Sequence, residues 1–146
     1  MTELLKIRIR ILQMQEVCNG NSIARMILFD GDADSRFFKG RVLPGGVDAQ
    51  TESGGRLTLS ARYMLEGVDG TGAPCRIFVE NSALLMAPGP EPIHTAPTVI
   101  TDSPAIAPLF AGKLQGLVEP IPKSEELMVR IWSCEEQDEN KNGQTD

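Results

Sequence analysis

One histidine and three cysteines are the only imidazole and thiol groups in this 146-residue chain. His94 stands alone, and Cys18, Cys75 and Cys134 are far apart, with no Cys-x-x-Cys pair. No zinc-binding spacing results, and spacing nominates no cysteine–histidine pair for nucleophilic catalysis. A Gly-x-Ser-x-Gly elbow is also missing. The stretches Pro44-Gly45-Gly46 and Asp69-Gly70-Thr71-Gly72 neither open a helix nor carry the lysine of a phosphate loop. Neither a metal nor an organic cofactor is therefore expected. An odd number of scattered thiols points to reduced cysteines in a cytoplasm.

Basic runs are absent too. Lys6, Arg8, Arg10, Arg25, Arg62 and Arg76 are dispersed, and the net charge is −6, which disfavours nucleic acid and anionic membranes as partners. No apolar run approaches the roughly 20 residues that span a bilayer. The N-terminal Met1-Thr2-Glu3-Leu4-Leu5-Lys6 lacks the pattern of a secretory signal. Asp30, Asp32 and Asp34 fail as a calcium loop, because Ser35 and Arg41 stand where a glycine and a glutamate are needed. An acidic hairpin built on Asp30-Gly31 is the expected alternative.

What the chain does have is alternation. Leu5, Ile7, Ile9 and Ile11 share one face against Lys6, Arg8 and Arg10, which predicts a strand with one solvated side. Strands are also predicted over 22–29, 36–43, 47–51, 56–67, 76–80, 113–119 and 126–134, with Val99-Ile100-Thr101 as a short further one. Turns at Asn19-Gly20-Asn21, Pro44-Gly45-Gly46, Ser53-Gly54-Gly55 and 68–72 separate them. Ser103 and Pro104 suit the start of a helical turn. Pro88, Pro90, Pro92 and Pro97 predict a loop over 82–98, lying across a barrel mouth and carrying His94. The expectation is an all-β fold: a single antiparallel β-barrel of about eight or more strands, of the lipocalin or streptavidin kind, over residues 1–134. Residues 135–146 are polar and aperiodic, and are expected to be a disordered tail.

The strand 56–67 carries the decisive ambiguity. Leu57, Leu59, Ala61, Tyr63 and Leu65 lie on one face; Thr58, Ser60, Arg62, Met64 and Glu66 lie on the other. Asp48 and Gln50 share a face of the preceding strand. If the pairing turns these polar faces inward together, the lumen holds an Arg62–carboxylate pair able to orient a ligand's carbonyl or carboxylate. If the apolar face turns inward, Tyr63 is the pocket residue and Arg62 belongs to the surface or to a subunit interface, where an ion pair is worth about 0–1 kcal/mol. Glu80, at a strand end, and His94, on the loop, complete the candidates for proton transfer at the mouth. Trp132 is expected to pack in the core or at an interface.

The segment Gly40-Arg41-Val42-Leu43-Pro44-Gly45-Gly46-Val47-Asp48, with Ala61-Arg62-Tyr63, Asp69-Gly70 and Ile77-Phe78-Val79-Glu80-Asn81 in the same order, resembles the bacterial domain-of-unknown-function 3237 family. The resemblance spans about residues 4–134 and departs at Ser82-Ala83-Leu84, where the family commonly has a glycine. It implies a single-domain antiparallel β-barrel without a settled activity. Three functions follow as expectations. The first is small-molecule binding through Asp48, Gln50, Arg62, Tyr63, Glu80 and His94, with homo-oligomers in the cytoplasm. The second is a cofactor-free isomerase, lyase or hydratase. The third is a structural homo-oligomer with a filled lumen.

Overall fold

The computed structural model describes residues 1–86, 89 and 92–134. Nine strands form one antiparallel sheet: β1 (Thr2–Asn19), β2 (Ser22–Asp34), β3 (Phe38–Val42), β4 (Val47–Ser53), β5 (Arg56–Asp69), β6 (Pro74–Met86), β7 (Ile93–Thr101), β8 (Leu114–Pro120) and β9 (Leu127–Ser133). The sheet closes on itself, because β1 pairs with both β9 and β2. β3 and β4 lie in line between β2 and β5, so the ring is an eight-stranded barrel in which one position is filled by two short strands. The all-β barrel expected from the alternation is the fold observed.

The apolar set faces inward, as a period of two requires. Leu5, Ile7 and Ile9 of β1, Leu65 of β5, Ile77 and Val79 of β6 and Ile131 of β9 are essentially sealed from solvent. A register shift between Glu3 and Leu5 buries both Leu4 and Leu5, since the bulge lets two successive residues reach the interior.

Pro44-Gly45-Gly46 does turn the chain, but it does not reverse it. β3 and β4 run the same way, both antiparallel to β2 and to β5. Six residue steps separate Val42 from Asp48, whereas only four separate their β5 partners Leu65 and Ala61. The turn therefore adds two residues, an even number, and leaves the in–out alternation intact. Asp48 and Gln50 consequently face inward, in phase with Phe38 and Val42. Gly45 adopts φ 111°, open to glycine and hostile to other residues.

Two sequence expectations need correction. β2 does not stop at Asp30-Gly31; it runs to Asp34, and the chain reverses at 35–37. Asp30 and Asp32 sit on the outer face, where the Arg10 guanidinium donates to both (3.0 and 2.8 Å). Gly31 faces inward, where a Cβ would strike the Arg8 carbonyl of β1. The proline-rich segment is likewise mostly strand. β6 continues to Met86 and β7 begins at Ile93, so most of 82–98 is strand. Pro97 is tolerated in β7 because β8 bonds to β7 only at Ile93, His94 and Thr95. Residues 87, 88, 90 and 91 of the expected lid lie outside the described residues, as does the tail 135–146.

The two ends of the barrel differ. At one end the segment 102–113, with a single 3-10 turn (Ala107–Phe110), buries Ile106 and Phe110 over the core. Ser103 caps a turn just before it, accepting the Ile106 amide at 3.3 Å. The other end, where the β1–β2, β4–β5 and β8–β9 connections lie, is open among the described residues.

Candidate functional site

The open end contains a cavity of about 300 Å³ inside the barrel. Its walls are largely apolar: Ile9, Ile27, Phe29, Leu59, Val118 and Val129 are representative. Asp48, Gln50, Tyr63, Asn81 and Glu119 interrupt them, and Asp48, Tyr63 and Asn81 are neighbours by register. Asp48 of β4 lies opposite Ala61 of β5, and Ala61 lies opposite Asn81 of β6. Tyr63, two residues along β5, points to the same face and is diagonal to both. Ala61 thus forms a shallow floor between Asp48 and Asn81. Two interstrand spacings, about 10 Å, separate the backbones of those two residues.

Each of the three leaves one polar atom free. Gln50 Nε2 donates to Asp48 Oδ2 at 2.8 Å, while Asp48 Oδ1 is buried without a partner. Thr95 Oγ1 donates to Asn81 Oδ1 at 3.1 Å, so Asn81 Nδ2 is the free atom, on a residue only 1% exposed. Gly116 of β8 makes that contact possible; a Cβ there would collide with Thr95 Oγ1. The Tyr63 ring meets Phe29 edge to face, centroids 5.3 Å apart, and its buried hydroxyl has no partner. These are the buried unpartnered side-chain atoms among the described residues, and all three residues line one cavity. Leaving a buried donor or acceptor unmade costs about 1–3 kcal/mol.

Burial pushes the Asp48 carboxyl above the usual carboxylate range, with Gln50 and the Ser60 backbone pulling it part of the way back. Burial also raises the Tyr63 phenol far above its ordinary value, which keeps it a neutral donor. At the rim, Arg25, on the inward face of β2, donates to Glu16 (2.8 Å) and Glu52 (3.1 Å).

Asp48, Gln50 and Tyr63 therefore line the cavity together. Arg62, Glu80 and His94 do not. Arg62 and Glu80 are cross-strand partners on the outer wall, 2.7 Å apart, with the Arg62 side chain 64% exposed. The expected lumenal Arg62–carboxylate pair is corrected, since the inward side of β5 belongs to the Leu59–Ala61–Tyr63–Leu65 face. His94 lies on β7, pointing outward and exposed, and not on a loop. Asn81, next to Glu80, is the inward residue of β6 at this level and is not among the sequence candidates. The signal for it was parity: Cys75, Ile77, Val79 and Asn81 alternate on the buried face, and Arg76, Phe78 and Glu80 on the other.

This combination defines a class: small closed β-barrels with a lumenal pocket open at one end. The chain belongs to the family described as protein of unknown function DUF3237, whose profile matches residues 2–109. A UPF0311 protein of Clostridium acetobutylicum is 36% identical over 62 residues, which cover 42% of this chain and 37% of that relative's length. Similar folds occur in three solved structures. A protein of unknown function from Clostridium acetobutylicum shares 24% identity at TM-score 0.71, covering 88% of this chain and 94% of that one. A β-barrel-like protein from Acinetobacter baumannii shares 17% at TM-score 0.70 (90% and 93% covered). A conserved protein of unknown function from Rhodopseudomonas palustris shares 20% at TM-score 0.69 (89% and 93%).

Proposed function

We propose that the protein binds a compact, uncharged, mainly apolar molecule in the open end of the barrel, with its polar end toward Asp48, Tyr63 and Asn81. One observation carries this reading: three buried polar atoms without partners converge on one apolar cavity. A cavity of about 150 Å³ holds a benzene ring, so this one has room for a molecule roughly twice that size. Apolar walls supply affinity by area, and a few placed polar groups select the head group. An anionic head is disfavoured, because the Asp48 carboxylate faces the same space and the cavity holds no unpaired cation among the described residues.

The test uses cyclohexanone and phenol as neutral probes, with cyclohexanecarboxylate and benzoate as charged counterparts. Binding is read from the side-chain amide resonance of Asn81. The neutral probes are expected to shift it and the anions are not. Ala61→Leu, which fills the floor between Asp48 and Asn81, is expected to abolish the shift in a barrel that remains folded. Equal response to acids and neutral probes, or a response untouched by Ala61→Leu, would refute the assignment.

A further inference from the structure

We propose that the open end of the barrel is a proton-transfer site for small neutral carbonyl compounds, with Asp48 Oδ1 as the base and the Tyr63 hydroxyl and Asn81 Nδ2 as donors to the carbonyl oxygen. The inference rests on the binding reading above and adds chemistry to it. The free atoms are of complementary kinds. Asp48 Oδ1 is an acceptor, while Tyr63 Oη–H and Asn81 Nδ2–H are donors, because Thr95 already occupies the Asn81 carbonyl. Donor and acceptor are set apart by the width of Ala61, whose position in the register places Asp48 on one flank and Asn81 on the other. A six-membered ring or a short chain lying over Ala61 would present its carbonyl oxygen to one flank and an adjacent C–H to the other.

The step balances without a redox partner. Asp48 Oδ1 takes a proton from the carbon next to the carbonyl. The C–H electron pair becomes the C=C bond of the enolate, and the carbonyl π pair moves onto oxygen. Negative charge thus develops where two fixed donors meet it in a water-poor space, the arrangement that favours such transition states most. The protonated Asp48 then returns the proton to the same carbon or to a conjugated one, giving exchange in the first case and isomerisation in the second. Gln50, bonded to Asp48 Oδ2, is a positioning residue: it holds the carboxylate so that Oδ1 faces the cavity. Of the other charged groups at the cavity and its rim, Arg25 is paired with Glu16 and Glu52, and Glu119 is paired with Arg130 on the far wall. Asp48 is left as the unpaired charge in the cavity among the described residues.

Cyclohexanone dissolved in D₂O with the protein tests this directly, by loss of its α-proton NMR signal. The wild type is expected to speed exchange above buffer alone. Asp48→Asn, nearly the same shape, should lose about 10²–10⁴-fold of that rate while the probe still shifts the Asn81 resonance. Tyr63→Phe should lose less, and Ala61→Leu should lose both exchange and binding. The wild-type rate should rise with pH to a plateau set by a carboxyl above the ordinary range, a profile missing from Asp48→Asn. Binding without exchange, or exchange unchanged in Asp48→Asn, would overturn the proton-transfer role and leave the binding reading standing. Absence of any bound probe would overturn both.

Discussion

Two aspartates point into the barrel from opposite ends, and they are treated in opposite ways. Asp69, at the closed end, is saturated. Its Oδ1 accepts the Thr71 amide (2.8 Å), the Thr71 hydroxyl (2.6 Å) and the Ala73 amide (3.2 Å), and its Oδ2 accepts the Ser103 hydroxyl at 2.7 Å. Those bonds, led by Thr71 and Ser103, hold its pKa down to about 2. Asp48, at the open end, is held by Gln50 and the Ser60 backbone but leaves Oδ1 without a partner, and burial drives its pKa upward. A satisfied carboxylate ties a loop to the sheet and stabilises the fold. An unsatisfied one stores a cost that a bound group can relieve. The closed end is satisfied within the chain, and the open end leaves the polar atoms on which the proposed binding rests.

The most forceful way to break this comparison is to remove packing from each end. Leu65→Ala, in the sealed layer beside Val42 and Ile77, should cost about 3–5 kcal/mol, because its neighbours cannot collapse into the gap. Leu59→Ala only enlarges a space that exists already, and should cost about 2 kcal/mol, the low end for such changes. Urea unfolding of the two variants measures both. Equal losses would mean that the open end is packed as tightly as the closed one.

Acid sharpens the contrast through opposite signs. Asp69 has a folded pKa near 2 against an ordinary 3.8, so its stabilisation is complete above 3.8 and is lost as pH falls toward 2. Asp48 has a raised folded pKa, so its contribution runs the other way. Stability falls as pH rises from 3.8 through the folded value, and the penalty is complete above it. Asp69→Asn should therefore flatten the acid limb of the stability profile and weaken the fold at neutral pH. Asp48→Asn should raise neutral-pH stability by up to about 1 kcal/mol. Thermal or urea midpoints across pH 2–7 decide it, and a destabilised Asp48→Asn would assign Asp48 to the structural side.

How far the sequence could be read follows from these same residues. The barrel was legible because Leu5–Ile11, Leu57–Leu65 and Leu127–Ile131 alternate without interruption, and a period of two admits no helix. Asp48 and Gln50 were legible as a pair on one face. What could not be read was which β5 face they join, since that depends on the even two-residue excess at Pro44-Gly45-Gly46, a property of the pairing and not of either strand. Prolines misled at 82–98 for a related reason. Pro97 is excluded only where a neighbour needs its amide, and β8 has stopped bonding there.

The smallest expected effect tests the residue that looked most functional in the sequence. Arg62 stands in mid-strand among apolar neighbours, and an inward guanidinium would have been a strong ligand anchor. On the outer wall it meets Glu80 at 2.7 Å in solvent, a setting in which an ion pair contributes about 0–1 kcal/mol. Arg62→Ala should shift the urea midpoint by no more than that, and raising the salt concentration should shrink the difference further. Cyclohexanone should move the Asn81 amide resonance equally in Arg62→Ala and wild type, because Ala61 and Tyr63, not Arg62, share the cavity face. A loss of probe binding in Arg62→Ala, with Ala61→Leu inert, would move the site from the lumen to the outer wall of β5 and β6.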